Sequence, residues 1–178
     1  GSFSVVWRYT DGPVAFHGVS RTWTWGPEAI SSVVEEPYAE APGGYRQVQY
    51  FDKARMEQAV DPGTGWVVRS GLLASELVTG QLQLGDAVYE SHNPATINVV
   101  GDPGDAGAPT YATFRGHLGD PPSVLGSPIV QVIYRDGSVD LHDELAGYGV
   151  TAGVLVPETN HTVASVFWTF MASTGPVE

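Results

Sequence analysis

Hydrophobic and polar positions alternate in short runs along most of this chain, and glycine and proline break the runs. "SFSVVWRYTD" alternates loosely and predicts a strand that stops at Asp11-Gly12-Pro13. "SRTWTWGP" alternates from Arg21 to Trp25. A strand there would set Trp23 and Trp25 on one face, because side chains repeat every two residues. "RQVQYF" and "ARMEQ" flank Asp52-Lys53 and predict a hairpin turning at that pair; as a helix the same stretch would lack a strong apolar stripe. Trp66-Val67-Val68 predicts a further short strand. "TYATF" and "VTAGVLVP" read as strands, "HDELAGYG" as one helical turn, and "IVQVIYRDGSVDL" as a hairpin around Asp136-Gly137, a strong two-residue turn signal.

Two stretches carry a helical period. The first predicts a helix over about 70–82, with Ser70 as N-cap, Leu72, Leu73, Leu77 and Val78 along one face and Glu76 on the other side. The second predicts a helix over about 160–172, capped by Thr159 or Asn160. Val163, Val166, Phe167, Phe170 and Met171 would form its buried side, and Gly175-Pro176 its end. Strands and helices mix without regular βαβ alternation, so the expected class is α+β, mainly β, with antiparallel strands, hairpins and two short helices. A chain of 178 residues supports one core. One domain over 1–178 is expected, divisible into a β-rich part at 3–69 and a mixed part at 70–178.

Composition sharpens this picture. Gly (22) and Pro (13) are abundant and favour turns over long helices. Eight basic residues against 20 acidic ones leave a net charge of −12. That argues against nucleic acid, whose phosphates need clustered Lys and Arg, and against an anionic membrane surface. No apolar run approaches the ~18–20 residues of a membrane span. Cysteine is absent, which removes disulfides, thiolate metal sites and cysteine nucleophiles together. Gly1-Ser2 is expected to be a cloning remnant or a mature end.

Candidate chemistry is sparse. The histidines His17, His92, His117, His142 and His161 lack the i, i+3 or i, i+4 spacing that would set two imidazoles on one helix face, and H-E-x-x-H is missing. "GDPGDAG" offers Asp102 and Asp105 with free carbonyls, a set suited to calcium, although aspartates beside Gly and Pro more often form turns. No G-x-S-x-G elbow or phosphate-cradling loop occurs, and Lys53, the sole lysine, falls at a hairpin tip. Glu57, Glu76, Asp86 and Glu90 fall in the central segment. Glu57 or Glu76 with Asp86 could form the carboxylate pair of a glycoside hydrolase. Aromatics are the other resource: eight Tyr, six Phe and five Trp. Flat rings with polar edges stack on sugars or grip proteins, and Trp23, Trp25, Tyr50 and Trp66 are the candidate ligand-binding set.

The segments "VQYFDKARME", "GLLASELVTGQLQLGD", "GDPGDAGAPTYATF" and "AGYGVTAGVLVPETNHTVASVFWTFM" resemble an uncharacterised family of secreted bacterial proteins. The likeness spans most of residues 5–175. "VQYFDKARME" with "GLLASELVTG" after it is also similar to half of an LGFP-type cell-wall repeat. Gln49, Phe51 and Met56 match the repeat's hairpin, and Gly71 and Leu77 match its returning glycine and helix. The Leu-Gly-Phe-Pro signature is missing, and "LGSP" is the nearest string. The resemblance implies an extracellular or cell-envelope location, and a second repeat unit cut short at Glu178. The resulting expectation is a non-catalytic module that binds a carbohydrate or cell-envelope polymer through exposed aromatics, without a cofactor. A polysaccharide or cell-wall hydrolase using a carboxylate pair and a structural surface-assembly protein are the alternatives.

Overall fold

The computed structural model describes residues 2–52, 54–61, 63, 65–102 and 104–172. The protein is α+β and mainly β, with ten strands in antiparallel sheets and short helices among the described residues. It divides into two compact units, Gly1–Asn93 and Pro94–Glu178.

The first unit begins with a helix, α1 (Ser2–Thr10), and a single turn, α2 (Gly12–Ala15). The strand expected for "SFSVVWRYTD" is thereby corrected. Phe3, Val6, Trp7 and Thr10 recur at helical spacing and form the inward stripe, while Val5 and Tyr9 face solvent. The segment 18–33 has no strand either, so the shared face expected of Trp23 and Trp25 does not exist. Buried Asp11 explains why: its carboxylate accepts the backbone N–H groups of Thr24 and Trp25, each at 2.6 Å, and this ties the tryptophan segment to the helix end rather than to a neighbouring strand.

Next along the chain is a four-stranded sheet in the order β1 (Val34–Pro37), β2 (Tyr45–Tyr50), β3 (Arg55–Asp61), β4 (Gly65–Ser70). The expected hairpin is present as β2–β3, with Tyr50 opposite Arg55, and Trp66-Val67-Val68 lies in β4. Lys53 lies outside the described residues. One sheet face carries Met56, which packs with Phe3, Trp25 and Phe51 into the unit's hydrophobic core. The other face carries Arg46, Val48, Tyr50, Arg55 and Glu57, paired as the register requires.

Helix α3 (Leu73–Thr79) and the hairpin β5 (Gln81–Gln83) and β6 (Tyr89–Ser91) complete this unit. The helix is shorter than expected at both ends. Ser70 is the last residue of β4, and Leu72 stands at the N-cap without a side-chain cap. At the other end Gly80, with φ +72°, ends it. Glu76, expected to face outward, is 8% exposed, because it turns toward the sheet to meet Arg55.

The second unit holds a helical turn, α4 (Tyr111–Phe114), and two hairpins, β7 (Gln131–Ile133) with β8 (Val139–Leu141) and β9 (Ala152–Val156) with β10 (His161–Ala164). A last helix, α5, spans Ser165–Met171. The hairpin at Asp136-Gly137, the strand in "VTAGVLVP" and the turn in "HDELAGYG" (a 3-10 segment, Asp143–Tyr148) are present. "TYATF" forms a helical turn instead of a strand, since Thr110 and Thr113 cap one another reciprocally through hydroxyl and backbone N–H. The helix expected over 160–172 starts only at Ser165. Asn160 adopts φ +56° and turns the chain, so that His161–Ala164 pairs with β9. Val166, Phe167 and Met171 of that helix are exposed, and its expected end at Gly175-Pro176 lies outside the described residues.

Candidate functional site

The sheet face opposite the hydrophobic core is organised by two buried guanidinium groups. Arg55, 1% exposed, donates from Nη1 and Nη2 to the two oxygens of Glu76 at 2.8 and 2.9 Å. Its Nε and Nη2 reach Oε1 of Glu57 at 2.8 and 2.6 Å. Arg46 donates to the other Glu57 oxygen at 2.8 Å and to the carbonyl of Gln83 at 3.3 Å. Glu36 lies 3.7 Å from Arg55 and 4.0 Å from Arg46, and accepts a hydrogen bond from the Tyr50 hydroxyl. Two cations thus serve three carboxylates, as buried charges require. Burial disfavours the charge on Arg55, but its hydrogen bonds to Glu76, Tyr50 and Glu57 outweigh that and hold it protonated more firmly than usual. Gly71 is needed beside this cluster, because a Cβ there would fall 2.3 Å from Glu57 Oε1.

A cleft opens next to these ion pairs. Pairing of β2 with β3 ends at Val48 opposite Glu57. Beyond it, β2 runs back to Tyr45 beside β1, while β3 runs on to Asp61 beside β4. The fork encloses about 210 Å³, with Arg46 and Glu57 at its inner end and Trp66, Arg69, Tyr38 and Asp86 among its other walls. Tyr38 donates to Asp86 at 2.6 Å, and the Asp86 backbone N–H donates to Glu40 at 2.8 Å. The guanidinium carbon of Arg46 sits 4.3 Å from the centre of the Tyr38 ring, a cation–π contact. Burial first, and then the Asp86 carboxylate facing its hydroxyl, push Tyr38 up to about 12, so it remains a neutral hydrogen-bonding group. Nε of Arg46 is buried without a hydrogen-bond partner among the described residues.

The residues singled out from the sequence separate here. Trp66 is 60% exposed and lines the cleft together with Glu57 and Asp86. Trp25 belongs to the core, tilted against Phe51 at 6.0 Å. Trp23 is half-buried and stacks on Trp7 with ring centres 6.5 Å apart. Tyr50 is half-buried and committed to Glu36, and burial together with that hydrogen bond raises its hydroxyl above the ordinary phenol range. Glu57 and Glu76 are brought together, but on either side of Arg55 rather than across open space. Asp102 and Asp105 share a loop in the second unit. Their carbonyls accept from the Asn98 carboxamide at 3.0 and 2.9 Å, and Asp105 Oδ1 accepts from Gly107, as in a turn. Among the described residues no group of three or more acidic or histidine side chains could hold a metal ion, and no helix is long and apolar enough to cross a membrane.

No family model, curated protein or solved structure matches the chain. The site therefore rests on its geometry. Tyr38, Glu40, Arg46 and Arg69 were not legible as site residues. Only Arg46 carried a signal: it falls on the inward phase of the "YRQVQY" alternation, where an arginine must be met by acids.

Proposed function

We propose that the protein is a non-catalytic module that binds a carbohydrate or cell-envelope polymer in the cleft at the β2–β3 fork. The observation that carries the reading is a largely exposed tryptophan, Trp66, beside closely spaced charged and hydroxyl groups. Sugar rings offer an apolar C–H face and a rim of hydroxyls. An indole supplies the first contact, and Asp86, Glu40, Arg69 and Tyr38 supply acceptors and donors for the second.

Binding is favoured over hydrolysis by the state of the acids. A general acid must hold a proton it can give away, near the bond it cleaves. Glu57 instead accepts from two guanidinium groups and Glu76 from one in bidentate fashion, so both carboxylates are engaged in holding the sheet. The resemblance of "VQYFDKARME" and "GLLASELVTG" to cell-wall proteins supports a cell-envelope polymer as ligand and an extracellular setting.

Affinity electrophoresis through gels containing cellulose derivatives, chitosan, mannan or solubilised peptidoglycan tests the reading. Retardation by at least one polymer, lost in Trp66→Ala and kept in Trp168→Ala, is the expected result. Mobility unchanged in every gel would refute it.

A further inference from the structure

A second cleft lies between helix α3 and the hairpin β5–β6. Leu72, Ser75 and Thr79 recur along one side of the helix, and Gln81, Gln83 and Tyr89 share one face of the hairpin, where Gln83 stands directly opposite Tyr89. The cleft measures about 280 Å³, with Glu76 among its lining residues. That is close to the lower end of the ~300–1,000 Å³ range of small-molecule sites, a size for one ring rather than an extended ligand.

Three of its polar groups are uncharged and unspent. The Ser75 hydroxyl, the Gln83 carboxamide and the Tyr89 hydroxyl have no protein hydrogen-bond partner among the described residues. Thr79 and Gln81 are already engaged, with Ser75 and Ser91 respectively. Glu76 is the one charged lining group, and both its oxygens are taken, one by Arg55 and the Gln83 backbone N–H, the other by Arg55. Tyr89 and Leu72, about half exposed at 50% and 49%, add an aromatic and an aliphatic wall. Groups that both donate and accept, beside a ring face and without a free charge, match the hydroxyls of a neutral sugar and favour neither an anion nor a cation.

We propose that this cleft is a second saccharide subsite, specific for a neutral sugar residue, with Tyr89 as stacking platform and Gln83 and Ser75 as hydroxyl readers. It extends the glycan reading of the first cleft but does not need that cleft to bind. The test is a titration of the ¹⁵N-labelled full chain with cellohexaose, chitohexaose and mannohexaose, tracked through the Gln83 side-chain amide, the Tyr89 amide and the Trp66 indole. The expected result is movement of the Gln83 and Tyr89 signals with at least one oligosaccharide. Affinity at these signals should weaken about tenfold in Tyr89→Ala, less in Tyr89→Phe, and persist in Trp66→Ala. Both Tyr89 variants alter a half-exposed side chain, and unchanged core signals will verify that they fold. Signals moving only at Trp66, indifferent to Tyr89→Ala, would overturn this proposal and leave the first cleft standing. Movement at Gln83 with Trp66 silent would uphold it and exclude these three oligosaccharides as ligands of the first cleft. Silence at Gln83 and Tyr89 with all three would overturn it, whatever the polymer gels show for the first cleft.

Discussion

Removing the Glu76 carboxylate should unfold the first unit more readily than removing any surface acid. Arg55 and Glu76 are 1% and 8% exposed, and their two hydrogen bonds at 2.8 and 2.9 Å form a bidentate pair. Breaking one partner out of a buried ion pair costs about 3–5 kcal/mol, because the remaining charge stays desolvated. Arg55 keeps Glu57, so Glu76→Ala should fall near the lower end, about 3 kcal/mol. Glu76→Gln retains a carbonyl acceptor and should lose about 1.5–3 kcal/mol, the range of a charged hydrogen bond. With a urea dependence of ~1–3 kcal/mol per molar, Glu76→Ala lowers the unfolding midpoint by about 1–3 M, read by tryptophan emission. The double variant Arg55→Met/Glu76→Leu removes both charges and leaves Glu57 paired with Arg46, so it should be more stable than either single variant. If Glu76→Ala stays within about 0.5 kcal/mol of wild type, or if the double variant is no better than the singles, the description of this cluster as a desolvated charge network is wrong.

That network also marks the boundary of what the chain's pattern reveals. The hairpins at 45–61 and 131–141 were legible because tight turn residues sit between alternating runs, and local chemistry decides such elements. Helix α1 was misread because aromatic and β-branched residues suggested a strand, while the spacing of Phe3, Val6, Trp7 and Thr10 carried the deciding period. Strand β10 was misread in the opposite direction. Asn160 in a left-handed conformation makes a turn where an N-cap was expected. The sequence singled out Trp66 as a candidate, and on β4, an edge strand of the sheet, it stays exposed. Trp25 was not separable from it, because a buried aspartate fourteen residues away in sequence decides where Trp25 goes. The cleft itself depends on where β2 and β3 stop pairing, a tertiary property that no single segment encodes.

Individual contacts make further outcomes testable. Asp11→Ala leaves the Thr24 and Trp25 N–H groups without their acceptor, at about 1–3 kcal/mol per orphaned donor, and Asp11→Asn should cost less; urea titrations of both will rank them. Gly80→Ala places a Cβ 2.2 Å from the His92 carbonyl oxygen at φ +72°, so it should destabilise by more than the ~1–2 kcal/mol of left-handed strain alone, and equal stability would contradict the contact. His117 lies between Asp120 at 2.7 Å and the Gly137 carbonyl at 3.0 Å, two acceptors that only the imidazolium satisfies together. The hydrogen bond to Asp120 raises its pKa against some desolvation, with Arg135 and Asp136 also lining the adjoining cleft. Its contribution is therefore complete below the unfolded value near 6.5 and disappears as pH rises through the higher folded value. Hydrogen exchange of the β7–β8 turn should accordingly show more opening at about pH 8 than at about pH 5.5, beyond the intrinsic rate change, and His117→Gln should abolish the difference.

The central claim is that the fork between β2 and β3 holds a sugar against Trp66. Isothermal titration with oligosaccharides cut from whichever polymer retards the protein most measures it directly. The account predicts binding that weakens about tenfold or more in Trp66→Ala, a loss of at least ~1.4 kcal/mol, with partial recovery in Trp66→Phe. Equal affinity in wild type and Trp66→Ala, with the variant folded, would contradict it.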